Sequence, residues 1–228
     1  MTHPLDNPVR AALTGPHAHF AERLGGALRY PADVSPFMAL PDTPDDQDWA
    51  DLAALVGPGA TAALTGADPK PPVGWDVVWS MGGVQMVDDG VTGAPDDEAV
   101  RLTAADVPDM LALVAQTKPG PFLTRTIDLG TYLGIRRDGR LAAMAGERLH
   151  LPGWTEISAV CTDPDFRGSG LATRLVRALV QQIRDRDETP FLHAAATNTN
   201  AIRLYQATGF RLRHNVMFVA ARAPDSKT

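Results

Sequence analysis

The stretch DPDFRGSGLATRLV, at 163–176, places two glycines and an arginine between a proline-marked turn and an apolar periodic run. Gly168 and Gly170 can adopt backbone conformations closed to other residues, and they leave no side chain in a ligand's way. Several N–H groups can therefore point at one anion, and the start of the following helix adds free donors and the positive end of its dipole. Arg167 adds a permanent cation. The sequence predicts a phosphate or pyrophosphate cradle, which comprises Arg167, Gly168, Ser169, Gly170, Leu171 and Ala172.

A glycine pair before a helix has a second interpretation, a tight connection that binds nothing. The cradle alone leaves both interpretations open. Two other phosphate-binding motifs are excluded by their spacing. The nucleoside-triphosphate loop requires Gly-x-x-x-x-Gly-Lys-Ser/Thr, and the dinucleotide fingerprint requires a third Gly or Ala where Thr173 stands.

The elements around the cradle alternate between strand and helix patterns. An apolar residue recurs every four positions at Leu171, Leu175, Leu179 and Ile183, which predicts an amphipathic helix. Asp138-Gly139 suits the tight turn of a hairpin, and Thr103 is a suitable N-cap. Strands are predicted at 100–102, in a hairpin over 131–151, and at 154–162, 189–197 and 210–220, and helices at 103–117, 170–187 and 200–208.

The first ninety or so residues are rich in proline, glycine and aspartate, so their regular elements must be short. They predict a helix at 45–57 and strands at 61–66 and 75–87, the second of these interpreted as a hairpin around Gly82 and Gly83. The acidic, glycine-bearing segment 88–99 predicts a linker. The expected organisation is an accessory lobe at 1–95, a second domain at 96–222 and a flexible tail at 223–228.

Two motifs together resemble the GNAT superfamily of acyl-CoA N-acyltransferases. The first family motif, Arg/Gln-x-x-Gly-x-Gly/Ala, is matched by Arg167, Gly170 and Ala172. The second, Asn-x-x-Ala-x-x-Leu-Tyr-x-x-x-Gly-Phe, is matched by Asn198, Ala201, Leu204, Tyr205, Gly209 and Phe210. Both stand in the family's order and spacing, and the resemblance covers roughly residues 99–220.

The resemblance implies an α/β fold of the α+β kind. Its mixed, mostly antiparallel sheet is flanked by helices and splayed open between its fourth and fifth strands, with a smaller N-terminal α/β lobe. One hypothesis makes that lobe a degenerate second copy of the fold. The resemblance also implies that the cradle binds the pyrophosphate of acetyl-CoA, that backbone groups of Val160 and Thr162 bind its pantetheine arm, and that Cys161 and Asn198 belong to the same site.

Acyl transfer from a thioester to an amine requires a neutral amine, a stabilised oxyanion and a proton for the departing thiolate. The resemblance gives the acid role to Tyr205, and a phenol with a reference pKa of about 10 stays protonated at neutral pH. Family members often use a carboxylate on the strand before the cradle as general base, which points to Glu156. Glu147 and His150 compete with it for that role.

Other residues with reactive or aromatic side chains receive simpler interpretations. Cys161 is not expected to be a nucleophile, because it stands on an apolar strand and the family transfers the acyl group directly. A backbone N–H near Val160 or Cys161 would stabilise the oxyanion. His193 is expected in the core, and His17 and His19 on the surface rather than on a metal. Three tryptophans are interpreted as packing residues, with the acceptor site an alternative for the last: Trp75, Trp79 and Trp154.

The composition of the chain argues against several kinds of function and site. The 228 residues carry a net charge of −6, which disfavours sequence-independent nucleic-acid binding. One cysteine excludes an internal disulfide, and no ligand spacing indicates a metal. No apolar run approaches the length of a membrane span, and the first residues lack a signal-peptide pattern, so a cytoplasmic protein is expected.

The sequence therefore predicts an N-acetyltransferase that uses acetyl-CoA without a metal and acts on a small-molecule or peptide amine. Neither a nucleic-acid nor a membrane partner is expected, and a homodimer is left open. Two alternatives remain, a non-catalytic acyl-CoA-binding or sensing module and a structural domain without a ligand. The identity of the amine is not predicted.

Overall fold

The computed structural model describes residues 3–66 and 69–225 of the chain. Its α-helices are α1 (Pro8–Leu13), α2 (Asp46–Val56), α3 (Val107–Thr117), α4 (Leu171–Arg184) and α5 (Thr199–Thr208). Its strands are β1 (Glu22–Leu24), β2 (Ala27–Arg29), β3 (Met38–Ala39), β4 (Thr61–Gly66), β5 (Asp76–Asp88), β6 (Val100–Arg101), β7 (Tyr132–Arg137), β8 (Arg140–Leu151), β9 (Trp154–Thr162), β10 (Thr189–Ala195) and β11 (Phe210–Arg222).

Eight of these strands form one mixed sheet in the order β4-β11-β5-β10-β9-β8-β7-β6. Neighbours β9 and β10 run parallel, and the other neighbours pair antiparallel. Strands β1, β2 and β3 form a second, small sheet. The predicted fold class is confirmed: an α+β fold with a mixed, mostly antiparallel sheet and helices beside it.

The helix predicted at 45–57 is α2, and its ends follow from local chemistry. Asp45 accepts the Asp48 N–H at 2.9 Å while Asp48 accepts the Asp45 N–H at 3.0 Å, so two donors that a helix start leaves free are satisfied. Gly57, with φ of 93°, ends the helix. Thr103 is an N-cap as predicted, although the element that it caps is a short 3-10 turn (Ala104–Asp106) ahead of α3.

The hairpin predicted around Gly82 and Gly83 is wrong, because β5 is one continuous strand. Gly83 serves close packing instead, since a Cβ there would lie 2.5 Å from the ring of Phe218. Strand β5 lies between β10 and β11. Strands from both sides of the boundary predicted near Asp96 therefore belong to one sheet, and the hypothesis that residues 1–95 are a second copy of the fold stays a prediction.

Apart from Asp88, which ends β5, the predicted linker at 88–99 has no helix or strand, but it is fastened to α4. Arg184 contacts Asp88 at 2.6 Å and Arg174 contacts Asp96 at 2.6 Å, while Val91 is buried in the core. These contacts make the segment a packed loop. Its acidic residues had suggested solvation, whereas here they are partners for the arginines of a neighbouring helix.

Helices cover both faces of the sheet. Helices α4 and α5 pack on one face, hereafter the cofactor face, where their side chains meet Ile157 and Leu192. Side chains alternate along a strand, so Phe191 points to the other face, where α1 packs. Helix α3 lies on that second face as well, because it packs against Tyr132 while the adjacent Leu133 faces α4. We call this second face the acceptor face, and both names stand for what the sequence resemblance leads us to expect there.

The two histidines predicted on the surface differ in burial. His19 is exposed, but His17 is buried, with Nδ1 2.9 Å from the hydroxyl of Tyr30. The surface prediction is therefore wrong for His17. Among residues 3–66 and 69–225, no cluster of three histidine, cysteine or acidic side chains is arranged to hold a metal.

The tail predicted to be flexible begins inside the packed structure. Ala223 is buried and its N–H donates to the carbonyl of Ala60 at 2.8 Å, which extends the edge of the sheet. Residues 226–228 of that prediction lie outside the described residues. None of the helices in the described ranges is long and apolar enough to cross a membrane.

Candidate active site

The sheet opens where its two parallel strands diverge. Strands β9 and β10 are paired from Trp154 and Thr189 only as far as Ile157 and Leu192. Beyond that point a cleft of about 930 Å³ passes between them. The splayed sheet implied by the sequence resemblance is therefore present, and side chains from both faces line the opening.

A bulge in β9 shapes one wall of this cleft. Ala159 has φ of 52°, in the left-handed region that non-glycine residues rarely adopt, and the pairing of β8 with β9 shifts beside it. The Asp163 N–H donates to the carbonyl of Ala142 on β8 at 2.8 Å. Because successive N–H groups alternate in direction, those of Thr162 and Val160 point away from β8 and into the opening.

The glycine turn and the start of α4 form one end of the cleft. Gly168 and Gly170 have φ of 80° and 77°, and a side chain at either position would enter open space. Gly170 caps α4 without a side chain, so the first-turn N–H groups remain available. The Ser169 hydroxyl donates to the Phe166 carbonyl and stiffens the turn, while Arg167 is exposed beside it. The predicted cradle thus has the geometry of an anion site.

Tyr205 reaches the cleft from α5 on the cofactor face. Its side chain is almost fully buried, and burial followed by the charge of the nearby Cys161 group raises its pKa to about 12. Burial also raises the pKa of the Cys161 thiol to about 11. Both groups are therefore protonated at neutral pH. The Tyr205 phenol thus keeps a proton that it can donate, and Cys161 lacks the thiolate that nucleophilic attack needs.

Glu156 lies behind the acceptor face of the cleft rather than in it. Its carboxylate accepts Nε and Nη2 of Arg148 at 2.9 and 2.5 Å, and Nδ1 of His193 at 2.7 Å. Burial alone would raise its pKa, but the charge of Arg148 and the hydrogen bonds from both partners outweigh burial and lower the pKa to about 2. Glu156 is thus the anion that holds two lining side chains in place.

The tautomer of His193 follows from its neighbours. Gln85 donates through Nε2 to the Leu5 carbonyl at 2.9 Å and accepts Arg213 through Oε1 at 3.0 Å, which fixes the orientation of its amide. Its Nε2, 3.1 Å from Nε2 of His193, must then donate to an unprotonated ring nitrogen. His193 therefore accepts through Nε2 and donates through Nδ1 to Glu156.

The two residues that compete with Glu156 for the base role lie elsewhere. Glu147 accepts the Thr131 N–H at 3.0 Å and Arg186 at 2.8 Å, and its Oε2 lies 3.3 Å from Nε2 of His150. Burial would raise the pKa of Glu147, but these partners lower it. Glu147 and His150 line a separate depression that also contains His17. The structure does not bring them to the cleft.

Most of the predicted site residues meet in the cleft, and two do not. The cleft is lined by Val160, Cys161, Thr162, Arg167, Gly168, Gly170, Leu171, Ala172, Asn198 and Tyr205. Ser169 supports the turn from outside, and Glu156 acts through Arg148 and His193. Asn198 caps α5 by accepting the Ala201 N–H at 3.2 Å. Binding roles for these residues stay predictions.

Sequence reasoning missed the residues that line the cleft on the acceptor face. They are Phe37, Trp79, Met81, Arg148 and Phe218, with His193 between them and β9. Trp79 was interpreted as a packing residue, but it is half exposed in the cleft. Trp154, the tryptophan considered for the acceptor site, packs beside the α1 core instead. The sequence did contain a signal for Arg148. Glu147 and Arg148 are two charged residues inside a strand, β8, that is otherwise mostly apolar.

The chain is similar to a known protein family and to solved structures of acetyltransferases. The model of the FR47-like protein family matches residues 132–219. A crystal structure from Novosphingobium aromaticivorans, described as an acetyltransferase from the GNAT family, is 39% identical over 99% of this chain and 100% of its own, with a TM-score of 0.89. A GCN5-related N-acetyltransferase from Kribbella flavida, 17% identical with a TM-score of 0.61 over 96% of this chain and 95% of its own, shares the fold.

Two curated relatives are named mycothiol acetyltransferase. The protein from Acidimicrobium ferrooxidans is 29% identical over 121 residues, which are 51% of this chain and 37% of that protein. The protein from Nocardiopsis dassonvillei is 31% identical over 93 residues, which are 36% of this chain and 28% of that protein. The chain thus matches well under half the length of either relative.

Proposed function

The chain belongs to the GNAT family of acetyltransferases, and we propose that it moves the acetyl group of acetyl-CoA to a primary amine by direct attack in a ternary complex. The observation that carries this proposal is a cleft through the sheet, with a glycine cradle and Tyr205 on the cofactor face and a separate lining on the acceptor face. Two substrates can therefore meet from opposite sides of one opening.

The cradle fits the anionic part of acetyl-CoA, which supplies the activated acetyl thioester. Gly168 and Gly170 leave open space above their backbone, the first-turn N–H groups of α4 are free, and Arg167 adds a cation. The N–H groups of Val160 and Thr162 would bind the amide-bearing arm along β9. Asn198 would contact the same ligand from the start of α5.

The two groups placed to stabilise developing charge come from β9 and α5. The Val160 N–H, directed into the opening beside the bulge at Ala159, would donate to the thioester oxygen as it gains negative charge. Tyr205 would donate to the departing sulfur. Its pKa of about 12 keeps the proton on the phenol until that charge appears.

The amine needs to arrive without its proton, and the cleft favours that state. Arg148, Lys118 and Arg167 all line it, and nearby cations lower the pKa of an ammonium group. Atoms and protons then balance within the complex. The amine nitrogen bonds to the acetyl carbon and loses one proton, while the C–S bond breaks and the sulfur gains one proton. Glu156 was predicted as base, but its low pKa and full set of partners support a positioning role.

A thermal-shift titration with acetyl-CoA and dephospho-CoA tests the cradle. A ligand that binds only the native state stabilises it by about 2.7 kcal/mol at a hundredfold excess over its dissociation constant. We expect the shift to disappear in Gly170→Glu, which fills the cradle with a carboxylate. Gly153→Glu is the matched control, because Gly153 has φ of 75°, open space around it and a place in the β8–β9 turn, at the end of β9 opposite Val160 and Thr162. Equal shifts in both variants would contradict the assignment.

Release of CoA in the presence of amines tests transfer itself. A protein that binds acetyl-CoA and acetylates none of a broad amine panel would instead be the non-catalytic module. The absence of any thermal shift would leave the glycine turn as a structural connection only. Acetylated amine, identified by its mass, is the result that the proposal requires.

A further inference from the structure

The acceptor face of the cleft has an aromatic wall built from cross-strand pairs. Phe218 pairs with Met81 and Ala220 pairs with Trp79, and directly opposed residues of antiparallel strands share a face. Residues two apart on a strand also share a face, so Trp79 and Met81 stand on the face of Phe218. Phe37 lies against Phe218 with ring centroids 6.4 Å apart. These four side chains form a continuous apolar surface.

The charges around this surface are all positive. Among residues 3–66 and 69–225, no aspartate or glutamate lines the cleft, whereas Lys118, Arg148 and Arg167 do. Arg167 belongs to the cradle, and Lys118 follows α3 on the acceptor face. A multiply charged cation would therefore find no carboxylate partner among the described lining residues. This lining contrasts with the net negative charge of the whole chain.

Arg148 retains donor capacity toward the cleft. Glu156 occupies its Nε and Nη2, and the guanidinium lies over the ring of Phe37 at 5.0 Å from the centroid. Within the described part of the chain, Nη1 makes no hydrogen bond, and it is not among the buried polar atoms that lack a partner. Its N–H groups are thus accessible beside the aromatic wall, held in place by a buried anion.

We infer that the acceptor is a small amine carried on an aromatic or bulky apolar group that also bears a carboxylate, as an aromatic amino acid does. The apolar group would lie on Phe37, Trp79 and Phe218, and the carboxylate would accept Nη1 of Arg148. The inference rests on the proposed acetyl transfer, since it names the second substrate of that same cleft. The volume of about 930 Å³ must also hold the arm of acetyl-CoA, which favours a small acceptor.

Calorimetry on the CoA-loaded protein tests the inference without requiring turnover. The probes are L-phenylalanine, phenethylamine and spermidine, titrated at about physiological ionic strength so that non-specific attraction to the acidic protein is screened. We expect L-phenylalanine to bind about tenfold more tightly than phenethylamine, because a hydrogen bond to a charged group is lost with the carboxylate. We expect spermidine to bind more weakly than both. Spermidine binding as tightly as L-phenylalanine, or no binding of L-phenylalanine, would overturn the inference.

Trp79→Ala tests whether L-phenylalanine binds at the aromatic wall. Val78→Ala is the matched control. The two side chains are neighbours on β5 and are 51% and 50% exposed, but only Trp79 lines the cleft, so neither change should unfold the chain. We expect Trp79→Ala to weaken L-phenylalanine binding about tenfold and Val78→Ala to leave it unchanged. Equal effects of the two variants would refute the assignment. Trp79→Glu should reverse the order of L-phenylalanine and spermidine.

The same probes separate this inference from the proposed function. Binding of L-phenylalanine, with no acetylated product from it or from any amine of the panel, would support this class of ligand for the acceptor face and refute transfer. Acetylation of spermidine in preference to L-phenylalanine would support transfer and refute the acceptor class.

Discussion

Replacing Glu156 with glutamine should destabilise the protein strongly, although the two side chains have nearly the same shape. The carboxylate accepts three hydrogen bonds, two from Arg148 and one from His193, and it is fully buried. Glutamine cannot accept through its amide nitrogen and carries no charge. The Arg148 guanidinium, itself 10% exposed, would then be a buried cation without an anion.

Two independent arguments give a similar loss of unfolding free energy for Glu156→Gln. Removing one partner of a buried ion pair typically costs about 3–5 kcal/mol. The pKa of Glu156 falls from 4.5 to about 2, and at about 1.36 kcal/mol per pKa unit this shift corresponds to about 3 kcal/mol of native-state stabilisation at neutral pH. With a urea dependence of about 2–3 kcal/mol per molar, the unfolding midpoint should fall by more than about 1 M.

Urea denaturation at pH 7, followed by circular dichroism, measures this change. The control is the double variant Arg148→Met with Glu156→Gln, which removes the stranded cation and should recover most of the lost stability. An unchanged midpoint in Glu156→Gln would refute the reasoning, because the ion pair would then contribute nothing. A double variant less stable than the single variant would show that Arg148 has another buried partner.

The stability that Glu156 contributes should depend on pH, and it should decrease as the pH falls. A carboxylate whose pKa is lower in the folded state stabilises the protein above its unfolded pKa and loses that effect as the pH falls through the folded pKa. The stability difference between the wild type and Glu156→Gln should therefore be full above about pH 5 and shrink between pH 4.5 and about 2. A constant difference across that window would contradict the lowered pKa.

Three further variants have defined outcomes. Tyr205→Phe should lower kcat about a hundredfold while the KM for acetyl-CoA stays within about threefold, because only a donor to the leaving sulfur is lost; unchanged kcat in a steady-state assay would remove that role. Cys161→Ala should retain transfer, since burial raises the thiol pKa to about 11, and a hundredfold loss would revive a nucleophile. Gly146→Ala should cost about 1–3 kcal/mol in thermal unfolding, because its Cβ would stand 2.2 Å from the Tyr132 ring; an unshifted melting temperature would contradict that packing.

The cradle and the α5 motif were predictable because each is local in sequence. Gly168 and Gly170 specify positive backbone angles within three residues, and Tyr205 stands on a helix that Asn198 begins and Gly209 ends. Short-range backbone preferences decide such features without knowledge of the rest of the fold. The confirmed fold class rested on the same motifs through their resemblance to a family.

Strand β5 was recognised as a β pattern, but its partners were not predictable. It pairs with β10 and β11, which begin at Thr189 and Phe210, far later in the chain. A single strand pattern states which residues alternate, and it does not state which strand lies beside it. Gly83 was therefore assigned to a turn, when the ring of Phe218 across the sheet is what excludes a side chain there.

The same strand explains why the acceptor side of the cleft was invisible in the sequence. Gln85 fixes the His193 tautomer from β5, and Trp79 and Met81 on β5 supply the aromatic wall. The two family motifs lie after β9 in the chain, and the resemblance relates them to acetyl-CoA rather than to the amine. The N-terminal segment therefore supplies both a strand of the eight-stranded sheet and much of the lining that we propose for the acceptor. Under the proposed function, we expect variation in that segment to change the amine that is accepted while the cradle stays the same, so that the determinants of the two substrates would lie on separate parts of the chain.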